Sequence, residues 1–259
     1  MASPPPVSVF ILAKNEEQKI GPALDSVAWA AEVVVIDSFS TDRTVELCLN
    51  RGARVVQLKF EKFGELREAG IAHTTQPWIF SLDADERCTP EARDEILAIV
   101  ADPAAADVYR VPRRNFLLGR AIRHGGWYPD FRQPQLFRRG KMRYKVDDEV
   151  HEGWVLEGQI ATMRAPIEQI PYATLSEALA KLNRYTTLGV ARQERAHARA
   201  GYAQAFFRAG WAFLMAYVFR LGFLDGGPGL VIAVLRFENS FYKHLKLLEH
   251  RLPPGPGIS

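Results

Sequence analysis

Cysteine, long uncharged apolar runs and glycine-rich phosphate loops are all scarce in this chain, and each scarcity excludes a class of protein. Two cysteines, Cys48 and Cys88, provide neither a disulfide framework nor a metal-knuckle spacing, so a reducing compartment is expected. The aromatic-rich stretch near the C-terminus runs without a charge only from Ala209 to Phe219, eleven residues, against the ~20 needed to span a bilayer. At the other end, Val7 to Ala13 is apolar but has no basic segment before it, and it reads as a first strand rather than an export signal. No Gly-x-Gly-x-x-Gly or Walker lysine motif follows that strand, which argues against dinucleotide oxidoreductases and P-loop NTPases. Acids are almost missing from residues 110–145, where eleven Lys and Arg face Asp130 alone. Such a block attracts an anionic partner or forms a solvated basic face. It has no zinc-finger, helix-turn-helix or aromatic RNA-binding signature, so no nucleic-acid partner is expected.

What remains is ordinary globular composition, 47% hydrophobic and 24% charged over 259 residues, enough for one large domain or a domain with an appendage. Proline-rich tails flank it at residues 1–6 and 252–259. Between them, Val7–Ala13, Val33–Ile36, Val55–Leu58 and Trp78–Leu82 read as continuous apolar strands. Helical patterns alternate with them, beginning near Asn15 or Glu16, at Thr41–Thr44 and at Gly64. That alternation predicts an α/β fold with a mainly parallel sheet covered by helices on both faces. Thr89-Pro90-Glu91 opens another helix with a cap and a proline at its first position. Beyond Asp107 the pattern turns to short strands and Gly- and Arg-rich loops. From Ser176 it becomes helical, with a break expected at Asp225–Gly229.

The strand Trp78–Leu82 runs into Ser81-Leu82-Asp83-Ala84-Asp85-Glu86, two carboxylates two residues apart where a strand ends and the chain turns. Open α/β sheets bind ligands at that edge, and hard oxygen donors suit Mg²⁺ or Mn²⁺ together with substrate phosphates. Asp37 closes the second strand, where a carboxylate can accept from a nucleobase N–H or a ribose hydroxyl. Ala13-Lys14-Asn15-Glu16-Glu17 closes the first. Three polar strand ends on one crevice point to a nucleotide-linked substrate.

The motifs Val9–Glu16, Val35–Asp42 and Leu82–Glu86 resemble the successive signatures of family 2 glycosyltransferases with the GT-A fold. Within that family the chain is similar to lipopolysaccharide inner-core glucosyltransferases of the WaaE/KdtX type, through Gly125–Asp130, Leu136–Arg139 and Val150–Glu152. The resemblance covers roughly residues 7–250. It implies inverting transfer of a sugar, typically glucose from a UDP-sugar, to a heptose of a lipid-linked core acceptor. It also implies roles for individual residues. Asn15, Glu16 and Asp37 hold the nucleoside, Asp83 the ribose or donor sugar, and Arg67 the diphosphate. Asp85 and His151 are the metal ligands, for Mg²⁺ or Mn²⁺. Asp130 is the candidate base, with Glu149 and Glu152 as rivals, and Trp127, Tyr128 and Arg138 contact the acceptor.

The expected division is a catalytic domain at 7–170, with a nucleotide-binding half at 7–88 and an acceptor half at 89–170, followed by a helical extension at 171–252. In that extension Phe206, Phe207 and Trp211 crowd a helix flanked by Arg208 and Arg220. Leu230, Val234, Phe237, Phe241, Leu245 and Leu248 form a stripe at helical spacing. These helices lie in a membrane interface or pack on the rest of the protein. The resulting expectation is a cytoplasmic enzyme, peripheral at the inner face of the inner membrane, acting on an anionic glycolipid. A polyprenyl-phosphate or capsule acceptor, a sugar-phosphate nucleotidyltransferase and a non-catalytic surface module remain the alternatives.

Overall fold

The computed structural model describes residues 5–59, 63–131, 133–145, 153–195 and 201–252. The chain forms two compact units, residues 1–114 with 130–170, and residues 115–129 with 171–259. Residues 115–129, inside the expected acceptor half at 89–170, group with the C-terminal helices.

The first unit opens with β1 (Val7–Ala13), α1 (Ile20–Ser26), β2 (Glu32–Asp37), α2 (Thr44–Asn50), β3 (Arg54–Gln57), α3 (Phe63–His73) and β4 (Trp78–Asp83). Next come β5 (Glu86–Arg87), α4 (Pro90–Ala101), β6 (Val108–Arg110) and β7 (Arg113–Leu117), whose second half belongs to the other unit together with β8 (Arg120–Ala121). The first unit resumes with β9 (Pro134–Arg138), β10 (Met142–Tyr144), β11 (Trp154–Leu156), β12 (Ile160–Thr162) and β13 (Ile167–Gln169). Seven strands form the main sheet in the order β12-β6-β9-β4-β1-β2-β3. β1 pairs in parallel with β2 and β4, β2 with β3, and β12 with β6, while β9 runs against both its neighbours. This is the mixed, mainly parallel α/β sheet that the alternating pattern predicts.

Both faces of β1 are covered, as its unbroken apolar run requires. Successive side chains leave a strand on opposite sides, so Val9 and Ile11 enter a core with Ile20, Leu24 and Ile96. Phe10 enters a second core with Leu66, Ile79 and Tyr144. α3 comes so close to the sheet that a Cβ on Gly70 would sit 2.4 Å from the buried Phe10 ring. α4 starts as expected: the Thr89 hydroxyl accepts from Ala92 N and donates to Pro166 O, with Pro90 in the first turn. α1 starts later than expected, at Ile20. The amides of Asn15, Glu16 and Glu17 are drawn instead to Ser40, Thr44 and Asp42 on the neighbouring loop.

The second unit consists of the β7–β8 hairpin, α5 (Leu175–Arg195), α6 (Tyr202–Leu214), a π turn (Met215–Phe219), a 3-10 turn (Gly222–Asp225) and α7 (Gly226–Arg251). Leu117 and Ile122 of the hairpin region pack on Ile232 of α7, with Trp127 and Tyr172 beside them. Lys246 Nζ ties α7 to α5 by bonds to Asn183 Oδ1 at 2.7 Å and Thr187 Oγ1 at 2.7 Å. The helical break falls earlier than expected, across 220–225, with Leu221 at φ 56°. Gly227-Pro228-Gly229 forms the first turn of α7, where a proline loses no helical hydrogen bond. Gly229 is required there, because a Cβ would sit 1.9 Å from Gly222 O. The face of α7 that is buried carries Ile232, Ala233, His244 and Leu247, whereas Leu230 and Val234 of the expected stripe are exposed.

Replacing Gly70 by Ala is expected to lower stability by about 1–3 kcal/mol through overpacking against Phe10, read as an earlier urea midpoint. Burial pushes the thiols of both Cys48 and Cys88 up to about 12. Neither is therefore expected to react with a thiol reagent in native buffer, and both should react once the chain is unfolded.

Candidate active site

The carboxyl ends of β4, β1 and β2 lie side by side, with Asp83 beside Leu12 and Asp37 beside Ala13. Asp37 and Asp83 therefore flank β1 across two strand spacings, about 10 Å. The loops leaving β1 and β2 are joined by side chains. Asn15, at φ 56°, donates its backbone N–H to Ser40 Oγ at 2.8 Å and accepts from Thr41 N at 2.8 Å through its side-chain oxygen. The fully buried Asp37 organises the β2 end: it accepts from Ser40 N at 3.0 Å, from the Ser40 hydroxyl and from Gln57 Nε2 at 3.0 Å. Glu16 stands at the entrance of α1, its backbone oxygen accepting from Lys19 N and Ile20 N, its carboxylate 3.8 Å from Lys19 Nζ.

Asp83, Asp85 and Glu86 occupy one tight turn after β4, and guanidinium groups hold it. Arg67, buried on α3, donates to Asp83 Oδ1 at 3.1 Å and to Ser81 Oγ at 3.3 Å, and stands 5.7 Å over the Tyr144 ring. Glu86 is wholly buried and paired with the equally buried Arg113 of β7. Its other oxygen accepts from Asp83 N at 2.9 Å and Gln135 Nε2 at 2.8 Å. Burial pushes the Glu86 carboxyl above the usual carboxylate range, Arg113 opposes that shift, and the Asp83 and Asp85 charges reinforce it. Arg87 clasps the turn from outside, donating to the backbone oxygens of Ala84, Glu86 and Lys19. Asp85, partly exposed, accepts from Gln169 Nε2 at 3.2 Å, and its backbone oxygen accepts from Ile170 N at 2.9 Å.

The donors at this turn are carboxylate oxygens, with the buried Gln135 Oε1 and Gln169 Oε1 beside them lacking a hydrogen-bond partner. That donor set fits a hard divalent cation, which needs one or two protein carboxylates and completes its shell with water and phosphate oxygens. Among the described residues no group of three or more His, Cys, Asp or Glu gathers as a metal site.

The structure thus brings Asn15, Glu16, Asp37, Arg67, Asp83 and Asp85 to one edge of the sheet. Arg67 reaches it through Asp83. Asp130 is linked to the same network, since it forms a backbone bridge with Arg113, on whose guanidinium its charge acts. Arg138, expected among the acceptor contacts, is not brought there. β9 runs antiparallel to β4, so Arg138 pairs with Trp78 at the opposite edge, 4.4 Å over its ring and 3.7 Å from Asp107. Trp127 and Tyr128 belong to the second unit, where Trp127 O accepts from Asn115 Nδ2 at 2.8 Å and Tyr128 is exposed. His151, Glu149 and Glu152 lie outside the described residues. The basic block is also more structural than its composition suggests. Arg113 is buried, Arg114 pairs with Glu168, and Arg139 binds the backbone oxygens of Ile71 and Gln76. Arg87, Arg113, Gln135 and Gln169, which hold the acidic turn, were not picked out from sequence.

Comparison with known proteins adds four findings. Residues 8–166 match the family described as Glycosyl transferase family 2. A Rhizobium meliloti (strain 1021) protein, lipopolysaccharide core biosynthesis glycosyltransferase LpsC, is 30% identical over 257 residues, covering 92% of this chain and 93% of that one. An uncharacterized glycosyltransferase, RC0292, of Rickettsia conorii (strain ATCC VR-613 / Malish 7) is 24% identical over 260 residues, covering 95% and 91%. Among solved structures, glucosyl-3-phosphoglycerate synthase from Mycobacterium tuberculosis overlaps 42% of this chain and 44% of its own, at 24% identity and a TM-score of 0.38. That overlap leaves more than half of each chain outside it.

Replacing Arg113 by Ala strands a buried carboxylate and is expected to cost about 3–5 kcal/mol in chemical denaturation. The double replacement Arg113→Met with Glu86→Gln, which removes both charges, should cost much less.

Proposed function

Because the chain belongs to glycosyl transferase family 2, we propose that it moves glucose from a UDP-sugar to a heptose of a lipid-linked lipopolysaccharide core, inverting the anomeric carbon. The observation that carries this reading is the Asp83-Ala84-Asp85 turn at the carboxyl edge of β4, beside the joined loops of β1 and β2. The Rhizobium meliloti relative, whose name assigns it to lipopolysaccharide core biosynthesis, supports the acceptor class. The resemblance to WaaE/KdtX-type enzymes supports glucose and heptose. Family membership sets aside the nucleotidyltransferase and the non-catalytic module.

In this reading residues 7–88 hold the donor and 89–170 serve the acceptor side. Asn15, Glu16 and Asp37 line the nucleoside, and Asp83, oriented by Arg67, meets the ribose or donor sugar. Asp85 and His151 are the residues that would hold Mg²⁺ or Mn²⁺, and the ion would supply positive charge to the leaving diphosphate. Asp130 takes the proton of the attacking hydroxyl, with Glu149 and Glu152 as the other candidates for that step. The hydroxyl displaces the diphosphate directly, so one displacement inverts the centre and no covalent sugar-enzyme intermediate forms. Trp127 and Tyr128 offer aromatic surface to the acceptor sugar. The enzyme works at the cytoplasmic face of the inner membrane, in peripheral contact with it.

Mass spectrometry of products from UDP-glucose and rival acceptors tests the assignment. A hexose gain is expected on heptose-bearing core lipid, and a gain confined to polyprenyl phosphate would reassign the acceptor. Asp85→Asn should lower kcat by about 100-fold or more, ~2.7 kcal/mol in the barrier, and chelator should abolish turnover.

A further inference from the structure

The second unit carries an apolar surface that none of its described residues covers. Tyr202, Phe206, Phe207, Trp211 and Leu214 of α6 are exposed, and Phe207 is 74% accessible. The exposure continues through the bend at Val218, Phe219, Leu221, Phe223 and Leu224, and along α7 at Leu230 and Val234. At 100° per residue, Phe206, Phe207, Leu214 and Trp211 span an arc of roughly 140°. The buried stripe of α6, Ala205 and Ala209, lies on the other side, so the helix is apolar around most of its girth. A helix that is apolar most of the way round is one surrounded by a large core or by a membrane rather than one with a solvated polar face. An apolar surface that wraps the helix and continues around a bend suits an enveloping medium.

Charge selects that medium. Between Tyr202 and Phe237 the chain carries three arginines, Arg208, Arg220 and Arg236, and one acid, Asp225. Asp225 is withdrawn from the surface, its side chain 6% exposed and accepting from Arg123 N, His124 N and His124 Nδ1. No single described helix is long and apolar enough to cross a membrane, but 202–219 and 222–251, bent by 69°, pass that test together as a broken span or re-entrant pair.

A built cavity accompanies this surface. An open groove of about 460 Å³ lies among α5, α6 and α7, with Arg208 and Lys243 as its cations and Phe207 and Trp211 as its apolar walls. Gln193 also lines it, and Gln193 Oε1 is buried without a hydrogen-bond partner. Cations beside aromatic walls match a phosphate joined to acyl chains, and Tyr202 and Tyr242, both exposed, are residues of the interfacial belt.

We propose that the bent pair of α6 and α7 enters one leaflet of an anionic bilayer without crossing it, seating a phospholipid phosphate between Arg208 and Lys243. This rests on the reading of the protein as a transferase acting on a lipid-linked acceptor. It goes further in naming the inserted segment, its depth and the lipid charge it requires. It also gives the Gly125-Gly126-Trp127 loop a lipid-side anchor, because Gly125 N donates to Arg220 O at 2.8 Å and Asp225 holds Arg123 and His124.

Vesicle co-sedimentation of the full chain tests this, with phosphatidylglycerol–phosphatidylethanolamine vesicles compared against phosphatidylcholine. The expected result is binding about tenfold or more tighter to the anionic vesicles, lost in Arg208→Glu with Lys243→Glu. Brominated acyl chains should quench the tryptophan fluorescence of the wild type and spare most of it in Trp211→Phe. Inorganic phosphate at the concentration of lipid phosphate should not displace the vesicles. The proposal is overturned by equal or absent binding to both vesicles, by binding indifferent to the charge reversal, or by a stable dimer that hides Trp211 from lipid. Metal-dependent release of nucleoside diphosphate from the sugar donor, measured without vesicles, separates the two readings. Its survival when vesicle binding fails removes this inference alone, and its absence when vesicle binding holds removes the transferase reading alone.

Discussion

A buried ion pair, Arg113 with Glu86, is what allows three carboxylates to share one turn at the end of the central strand. Asp83, Asp85 and Glu86 repel one another, and burial of Glu86 adds a desolvation cost that its surroundings must offset. Arg113 faces Glu86 and Arg67 faces Asp83, both from inside the protein. Glu86 in turn accepts the Asp83 amide, so the pair fixes the backbone as well as the charge. Asp85 is partly exposed and takes a hydrogen bond from Gln169, a neutral amide. The arrangement keeps the repelling groups together and leaves Asp85 as the carboxylate of the turn suited to an incoming cation.

The two units differ in what their packing leaves exposed. In the first, the parallel sheet places three polar loop ends at one edge, and the joining of the β1 and β2 loops through Asn15, Ser40 and Thr41 makes that edge one surface. In the second, the buried positions are few, Ala205 and Ala209 on α6 and Pro228, Gly229, Ile232, Ala233, His244 and Leu247 on α7. Polar staples such as Lys246 on Asn183 and Thr187 hold them together. A bundle fastened in this way can leave its large side chains facing outward. The first unit is built around a polar edge and the second around an apolar exterior.

Much of this was legible in the residues. The unbroken apolar strands encode burial on both faces, and the observed strand positions follow them within a residue or two. Thr89-Pro90 specified the start of α4 because its cap is local. The acidic turn was readable because carboxylates directly after a buried strand can emerge only at the sheet edge. What escaped depends on distant pairing. The late start of α1 reflects competition from Ser40, Asp42 and Thr44, some 25 positions away. Arg138 looked like part of an anion-binding block until the antiparallel course of β9 carried it to the far edge. Gln135 and Gln169 have no sequence signal, since a lone glutamine beside a carboxylate becomes visible only when strands far apart in the chain pair. Asp225–Gly229 marked a helix break in composition, yet glycine and proline fit a first helical turn as well as a loop, and the bend settled upstream at Leu221.

The central claim is that the turn ending β4 binds a divalent cation together with a nucleoside diphosphate. Isothermal titration calorimetry of UDP into the full chain, with Mn²⁺ and again with chelator, tests it most directly. The account predicts one UDP bound per chain with the metal and a collapse of that binding when the metal is removed. Equal affinity in both conditions, or binding untouched by Asp85→Asn, would contradict it.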